Sequence, residues 1–173
     1  MYFQPFPKLS YTLDDKVSYQ TIQDIFRRVV LSYNTRIKNS YFTYYEVGDG
    51  ETPEVVSHKF YRNTNFHWII LHANEIIDPR WDWVLSQLDL LTYVQDKYGV
   101  GNEYAIHHWE YVVYEGTTSE QKLISPTQDA YYNTSISNWE YEDTLNEAKR
   151  KIKIIVPALV PNLQKEFINL IKA

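Results

Sequence analysis

Residues 41–79 constrain the fold more than any other part of the chain. Residues 41–47 are dense in aromatic and β-branched side chains, which favour a strand. Residues 48–50, Gly-Asp-Gly, then suit the backbone conformations of a tight turn. This stretch therefore predicts a strand that ends directly in a turn.

Two short helices are predicted after the turn. Thr52 can accept a hydrogen bond from the first helical turn, and Pro53 suits the first helical position because its missing N–H would be unpaired there. Residues 63–65 interrupt this helix with turn-forming side chains. Residues 66–73 then place apolar side chains at i, i+3, i+4 and i+7, which predicts a mostly buried helix with Asn74 as a left-handed cap.

The segments before this unit are predicted to be an arm and a helix. Residues 1–17 contain two prolines and show neither helical nor alternating periodicity, which indicates an extended arm whose aromatic residues dock elsewhere. Thr21 and Asp24 form a T-x-x-D capping pattern, and apolar residues follow at helical spacing through Ile37. We therefore expect an amphipathic helix from Thr21 onward.

A helix and a hairpin are predicted after the central unit. Ser86 begins an S-x-x-D pattern for a helix that ends before Gly99. Residues 104–114 alternate as a strand, and residues 121–124 are predicted to return beside it as a projecting hairpin. Residues 125–135 are predicted to be a polar loop.

Three elements are predicted at the end of the chain. Ser137 and Glu140 form a capping box for a charged helix to about Lys149, and its polar surface is typical of a bridging helix. Residues 151–156 read as a short strand, and an amphipathic helix follows Pro161.

Composition favours a binding or assembly protein. The 173 residues suit one ordinary domain with extensions, and the absence of cysteine excludes thiol chemistry and disulfides. A net charge of −5 argues against general nucleic-acid binding, which depends on cationic residues. With no secretory signal and no membrane span expected, the chain should be soluble and cytoplasmic when made. Aromatic residues make up 16%, and Tyr and Trp are enriched at protein interfaces.

No catalytic, metal or cofactor site is predicted. His108 and Glu110 should share one strand face while His107 points to the other, which leaves too few converging ligands for zinc. Signatures of hydrolases and nucleotide-binding loops are missing. Asp82 and Asp89 are acidic residues that a glycoside hydrolase could use, but ordinary surface carboxylates are far commoner.

Two resemblances follow from the order of these elements. The strand, the segments GDGETPEVVSHKFY and WIILHAN, and the exit IDP together resemble a LysM-type module, built as strand, turn, helix, helix and strand. The longer run through DPRWDW to KYG, with DIFRR upstream and KRKIKIIVP downstream, resembles the baseplate wedge protein fifty-three family of T-even-type contractile phages. The second strand of an ordinary LysM module is missing after residue 79, so another strand is expected to supply it.

The expected fold is α+β, with a LysM-like βαα core, an N-terminal helix and arm, an inserted β-hairpin, and a C-terminal strand plus amphipathic helix. Along the sequence we divide it into residues 1–40, 41–99, 100–138 and 139–173, which we expect to be parts of one domain with extensions.

The resemblance implies a structural, non-enzymatic subunit of the virion tail baseplate, which joins neighbouring wedges into a ring. Its implied partners are other wedge proteins and neighbouring copies of itself, with no nucleic acid and no membrane. Glycan binding by the LysM-like unit is the alternative and is disfavoured. Nine residues are candidates for partner contacts: Phe3, Phe6, Trp81, Trp83, Trp109, Tyr111, Phe167, Leu170 and Ile171.

Overall fold

Helices and small sheets are mixed along the chain in a computed structural model that describes residues 2–12, 19–27, 29–30, 39–115 and 119–172. The fold is therefore α+β, as the sequence predicts. The strands and α-helices follow in this order: β1 (Lys8–Tyr11), β2 (Gln20–Gln23), β3 (Phe42–Glu46), α1 (Pro53–Tyr61), α2 (His67–Ala73), α3 (Pro79–Asp82), α4 (Gln87–Tyr98), β4 (Ile106–Glu115), β5 (Ser119–Ser125), β6 (Thr134–Ser137), α5 (Asn138–Ala148), β7 (Lys151–Ile155) and α6 (Val160–Lys172).

The chain divides into two compact units. Unit 1 comprises Met1–Val47, Glu51–Asp82 and Ile152–Ala173, and unit 2 comprises Gly48–Gly50 and Trp83–Lys151. The division of the sequence into four segments stays a prediction. None of the described helices combines the length and the apolar character needed to cross a bilayer.

The start of unit 1 differs from the prediction. The sequence predicts an extended arm without regular pairing over residues 1–17, whereas residues 8–11 form strand β1, which pairs in antiparallel fashion with β2. The helix predicted from Thr21 is wrong at its beginning, where Thr21 and Ile22 lie in β2. Asp24 caps no helix there, since its Oδ1 accepts a hydrogen bond from the backbone N–H of Phe26 at 3.2 Å and forms a turn. The part of the predicted helix at residues 31–38 lies outside the described residues.

The helix starts and the strand pairing of the central unit match the prediction. The Thr52 side chain accepts a hydrogen bond from the N–H of Val55 at the start of α1. Asn63 lies between the two helices as expected, and its side chain accepts a hydrogen bond from the N–H of Asn65. Strand β3 pairs with β7, so a distant strand supplies its partner, as the sequence analysis expects. The LysM-like detail stays a resemblance.

The predicted left-handed cap at Asn74 is wrong. Asn74 has a φ of −103°, whereas the next residue, Glu75, has a φ of 59° and adopts the left-handed conformation. The Asn74 amide instead donates to the carbonyl of Ile70 at 2.8 Å and contacts the backbone of β7. Asn74 therefore connects α2 to β7 and does not adopt the predicted left-handed conformation.

The core of unit 1 forms around α2 and α6. Helix α6 buries Val160, Phe167 and Ile171, which recur along one side, and the rings of Trp68 and Phe167 lie 4.5 Å apart. Phe6, from the predicted arm, is also buried in this cluster. The N-terminal aromatic residues thus dock on their own chain.

Unit 2 contains a three-stranded sheet, in the order β5-β4-β6, together with α4 and α5. Ser86 caps α4 as predicted, and Gly99 follows it with a φ of 90°. The capping box of Ser137 and Glu140 is present at the start of α5. The predicted polar loop is shorter than expected, because Thr134–Ser137 forms β6 beside the central strand β4.

Helix α5 packs through buried polar side chains. Asn138, Glu142 and Asn146 recur every four residues and are buried. Asn146 exchanges two hydrogen bonds with the backbone of Leu85, at 2.8 and 3.0 Å. Because these buried groups have partners, a helix that the sequence shows as polar nearly all round can still pack inside unit 2.

Candidate interaction surfaces

The first candidate surface is an apolar groove of about 800 Å³ in unit 1, which we call the groove surface. Phe26 is 87% exposed and Ile77 is 72% exposed, although both are large apolar side chains. Exposed apolar surface that is concentrated in this way marks binding sites more often than scattered single residues do. The lining residues are Tyr2, Phe3, Ile25, Phe26, Arg27, Val30, His67, Trp68, Leu71, His72, Glu75, Ile76, Ile77 and Pro79.

Packed aromatic rings support the groove. The Tyr2 ring lies 5.5 Å from Trp68 and 5.2 Å from Phe167, and its hydroxyl lies 3.3 Å from Nε2 of His72. These contacts connect the N-terminal segment to α2 and α6. Side chains that are already packed lose little conformational freedom when a partner binds, so this floor is suited to a stable contact.

Arg27 fixes one wall of the groove. Its Nε donates to Oδ2 of Asp24 at 3.2 Å, and its Nη1 donates to the carbonyl of Ile171 at 3.0 Å. That carbonyl lies in the last turn of α6, where backbone oxygens lack helical partners and a positive charge is favourable. The turn after β2 is thereby attached to the C-terminal helix.

The ribbon formed by β1 and β2 presents a second apolar area in unit 1. Leu9 is directly opposite Ile22, and Tyr11 lies on the same face two residues further along β1. Between 39% and 50% of each of these three side chains is exposed. A two-stranded ribbon is only marginally stable on its own, so a cover for this face would stabilise it.

Unit 2 carries an aromatic area that we call the tyrosine face, formed by Trp109, Tyr111, Leu123, Tyr131 and Tyr132. Tyr111 is opposite Leu123 on paired strands, and its ring lies 5.9 Å from Tyr131 and 6.2 Å from Tyr132. Tyr131 is 66% exposed. Tyrosine combines a large apolar ring with a polar edge, and this combination is common in interface contacts.

Asp129 positions two of these tyrosines. Its Oδ1 accepts hydrogen bonds from the backbone N–H groups of Tyr131 and Tyr132, at 2.7 and 2.8 Å. An aspartate that bonds the backbone two and three residues further on stabilises a tight turn. The loop therefore presents its tyrosines in a defined arrangement.

The histidine pair departs from the predicted alternation. The register between β4 and β6 shifts between Ile106 and His108, and this irregularity brings the Nδ1 atoms of His107 and His108 to 2.7 Å. His107 stacks on Tyr141 at 4.1 Å, while Nε2 of His108 lies 3.3 Å from Oε1 of Glu110. The expectation that His107 points away from His108 is wrong, because a bulge breaks the two-residue period.

This histidine pair is one part of a polar network in unit 2. Loss of solvation and the neighbouring His108 lower the pKa of His107, whereas the carboxylate of Glu142 acts in the opposite direction. Among the residues that the structure describes, no three His, Cys, Asp or Glu side chains are grouped so that they could hold a metal ion. The stacking of His107 on Tyr141 and the contact between the two imidazole rings are suited to packing within unit 2.

The nine predicted contact residues lie in different environments. Phe6, Trp83, Phe167 and Ile171 are buried within the chain, and Trp109 is half-buried. The exposed candidates are Phe3, Trp81, Tyr111 and Leu170. The structure brings Phe3 to the groove surface and Tyr111 to the tyrosine face.

Sequence reasoning missed several exposed residues of the two surfaces, chiefly Ile25, Phe26, Ile77 and Tyr131. Ile25 and Phe26 were assigned to a helical stripe, whereas they lie in the turn after β2. The sequence contained one signal for this turn, because Ile25 and Phe26 directly follow Asp24, and aspartate favours turns.

Exposed apolar surfaces on both units are typical of a structural protein that functions in an assembly. Residues 1–116 match the family of base plate wedge protein 53, which is more than half of the chain. The chain belongs to this family. Baseplate wedge protein gp53 of Enterobacteria phage T4 is 24% identical to it over an alignment that covers 89% of this chain and 82% of that protein. The protein is thus a structural component of a phage tail baseplate, within the virion.

Proposed function

We propose that the protein joins neighbouring wedges of the baseplate into a ring. Its partners in this role are other wedge proteins and neighbouring copies of itself. No turnover, cofactor or nucleic acid takes part, and the excess of acidic residues over the chain agrees with a protein partner.

The observation that carries this proposal is the presence of a separate exposed apolar surface on each unit. A subunit that joins two neighbours needs at least two contact surfaces, and one continuous site would be occupied by a single partner. The groove surface supplies one contact through Phe3 and Phe26, and the tyrosine face supplies another through Tyr111 and Tyr131.

The chemistry of these surfaces suits stable assembly. A few large side chains that become fully desolvated provide most of the binding free energy of a protein interface, typically about 2 kcal/mol or more each. Charged residues around them set orientation and association rate more than strength. Phe26 and Tyr131 are the first candidates for such anchors because both are large and exposed.

Glycan binding is less well supported by the geometry. Trp81 is 53% exposed and could stack on a sugar ring, but Trp83 is buried and offers no second stacking surface. The carboxylate of Asp82 accepts hydrogen bonds from the N–H groups of Ile77 and Asp78, at 3.2 and 3.1 Å. Asp82 therefore serves the start of a short helix.

Co-expression with other baseplate wedge proteins tests the proposal. We expect the protein to co-elute with wedge assemblies in size-exclusion chromatography, and we expect no sedimentation with insoluble peptidoglycan. Retention on peptidoglycan without wedge association would overturn the joining role and favour the glycan alternative.

Two matched pairs of variants locate the contacts. Phe26→Ser should weaken co-elution, whereas Val55→Ser, which changes an exposed apolar residue of α1 outside the groove, should not. In unit 2, Tyr131→Ser is paired with Leu88→Ser, which alters an exposed residue of α4. Equal effects within a pair would show that the chosen surface has no specific role.

A further inference from the structure

The tyrosine face has one charged residue in its loop, and this residue is acidic. Residues 126–133, the loop that holds two of the tyrosines, contain Asp129 and no other charged side chain. Glu110 and Lys122 lie on the paired strands, but they belong to the opposite face of the sheet, where they form an ion pair at 3.2 Å. The tyrosine face is therefore aromatic and locally acidic.

The rings of this face are steeply inclined to one another. The Tyr131 ring lies 5.9 Å from the Tyr111 ring at an interplanar angle of 73°, and the Tyr132 ring lies 6.2 Å from the Tyr111 ring at 64°. Ring planes inclined in this way enclose a corner, in which a bound group contacts two rings at once. The face of an aromatic ring is the negative part of its quadrupole and attracts a cation within about 6 Å of the ring centre.

The carboxylate of Asp129 is fixed beside these rings. Its Oδ1 accepts hydrogen bonds from the N–H groups of Tyr131 and Tyr132, and its own N–H donates to the carbonyl of Tyr132 at 3.3 Å. A carboxylate has about four acceptor sites, so this group can still accept hydrogen bonds from a partner. Because the turn is already closed, it loses little conformational freedom when a ligand binds.

The positive charges of unit 2 that lie in ion pairs are used within the unit. Three cations pair with carboxylates of the same unit: Lys97 with Glu142, Lys122 with Glu110, and Arg150 with Glu147. Among the residues that the structure describes, Asp129 takes part in no ion pair. A cation that matches the charge of Asp129 would therefore come from another molecule.

We propose that the tyrosine face binds an arginine side chain of a partner protein, with the guanidinium group against the rings of Tyr111 and Tyr131 and its N–H groups directed at the carboxylate of Asp129. This inference rests on the joining role proposed above and names the chemistry that this surface recognises. Arginine is favoured over lysine because a planar guanidinium stacks on aromatic rings and is less strongly hydrated than an ammonium group. The occupant of the face is thus a basic segment of another protein.

Two short peptides test this recognition. The probe is an acetylated and amidated Gly-Arg-Gly-Arg-Gly peptide, and the control peptide has citrulline, which is uncharged and similar in shape, at both arginine positions. Titration of each peptide into the isotope-labelled full-length protein, followed by two-dimensional NMR, measures the dissociation constant. The amide signals of Tyr131 and Tyr132 report on the site because both N–H groups bond to Asp129.

Variants separate the charge from the rings. Asp129→Asn removes the charge and keeps an Oδ1 that can accept the same hydrogen bonds, since asparagine forms the same turn. Tyr131→Leu keeps an apolar side chain without a ring, whereas Tyr131→Phe keeps the ring. The matched controls are Asp96→Asn and Tyr104→Leu, at exposed positions of unit 2 outside the face. Circular dichroism checks that each variant folds.

Recognition of arginine predicts a specific pattern of affinities. The arginine peptide binds about tenfold or more tightly than the citrulline peptide, and added salt reduces this difference. Asp129→Asn and Tyr131→Leu each weaken binding of the arginine peptide about threefold or more. Tyr131→Phe and the two control variants bind it as the wild type does.

Other results would overturn the inference. Equal binding of the two peptides, or binding of neither, would exclude recognition of the guanidinium charge. Unchanged binding by Tyr131→Leu would show that the ring has no role, and an equal loss from Asp96→Asn would indicate diffuse attraction to acidic residues. Shifts of the Tyr131 and Tyr132 signals with soluble peptidoglycan fragments, and not with the arginine peptide, would assign the face to a sugar.

Co-elution with other wedge proteins separates this inference from the joining role. If the arginine peptide binds as expected and the wild-type protein does not co-elute with wedge proteins, only the joining role is overturned. If the wild-type protein co-elutes and the arginine peptide is not recognised, the joining role stands and the inference fails. When both hold, Tyr131→Leu should weaken co-elution and Tyr131→Phe should not.

Discussion

The side-chain amide of Asn74 forms two hydrogen bonds with the backbone of Lys153, 79 positions further along the chain. Oδ1 accepts from the Lys153 N–H at 2.7 Å, and Nδ2 donates to the Lys153 carbonyl at 2.8 Å. The amide thus bonds β7 in the manner of a neighbouring strand, at the point where α2 ends. The end of the central unit and the C-terminal strand are connected through this one side chain.

Removal of this amide should destabilise unit 1. Asn74→Ala leaves an N–H and a carbonyl of β7 without their partners, which should lower the free energy of unfolding by about 2 kcal/mol. Urea denaturation followed by circular dichroism measures this change. Asn162→Ala, at an exposed position of α6, is the control and should have little effect. Equal stability of the two variants would show that the Asn74 contacts contribute nothing.

Phe167 and Leu170 should respond differently to the same substitution. Phe167 is 5% exposed and packs against Trp68, so Phe167→Asp should unfold the protein, as even Phe→Ala in a core costs about 3–5 kcal/mol. Leu170 is 52% exposed, so Leu170→Asp should leave the thermal midpoint nearly unchanged and reduce co-elution with wedge proteins. Normal co-elution of a folded Leu170→Asp protein would remove this residue from the contact surface.

Acidification should destabilise unit 2 through His107. The pKa of this residue lies below its ordinary value of 6.5 in the folded chain, so the unfolded chain binds the proton more readily. The stability that this difference provides is present above about pH 6.5 and is lost as the pH falls towards the lower folded-state pKa. The effect on stability is modest because the His107 side chain remains accessible to solvent.

A comparison of unfolding midpoints between about pH 7.5 and pH 5 measures this contribution. His107→Gln cannot be protonated in that range and should show a smaller decrease than the wild type. Parallel curves for the two proteins would contradict the assignment. The 2.7 Å contact between the two Nδ1 atoms gives a second reason for the same direction, because a hydrogen bond there needs one nitrogen without its proton.

The buried carboxylate of Glu142 should destabilise the folded protein when its ion-pair partner, Lys97, is removed. Its Oε1 accepts hydrogen bonds from Nζ of Lys97 and from the hydroxyl of Tyr98, both at 2.7 Å, and this interaction raises the pKa of Lys97. Lys97→Met leaves a buried carboxylate without its cation and should cost about 1–2 kcal/mol, less than for a fully buried pair because Lys97 is partly exposed.

The double variant Lys97→Met, Glu142→Leu should recover much of that stability, because no buried charge remains. Chemical denaturation of the wild type, both single variants and the double variant completes the cycle. Strictly additive effects in this cycle would contradict coupling between the two side chains.

The elements that the sequence predicted well depend on local chemistry. Thr52, Ser86 and Ser137 each cap the helix that follows them, because a side-chain oxygen next to a free N–H acts within a few residues. The apolar period of residues 66–73 was equally reliable, since Trp68, Ile69 and Ile70 are buried as expected. These signals do not require a distant partner.

The errors occur where a distant partner decides the structure. Ile22, Ile25 and Phe26 have helical spacing, but pairing of residues 20–23 with residues 8–11 is a non-local interaction that spacing cannot show. The bulge that turns His107 towards His108 also depends on the neighbouring strand β6. The predicted contact residues include both core and surface side chains for the same reason. Phe167 and Leu170 are both apolar in the sequence, and only the packing of the folded chain buries the first and exposes the second.

Electron microscopy of wedge assemblies prepared with and without this protein tests the joining role most directly. Purified wedges that lack it should remain separate, and addition of the wild-type protein should join them into rings. A protein that carries both Phe26→Ser and Tyr131→Ser should fold and fail to produce rings. Rings that form equally well without the protein, or with this combined variant, would contradict the account.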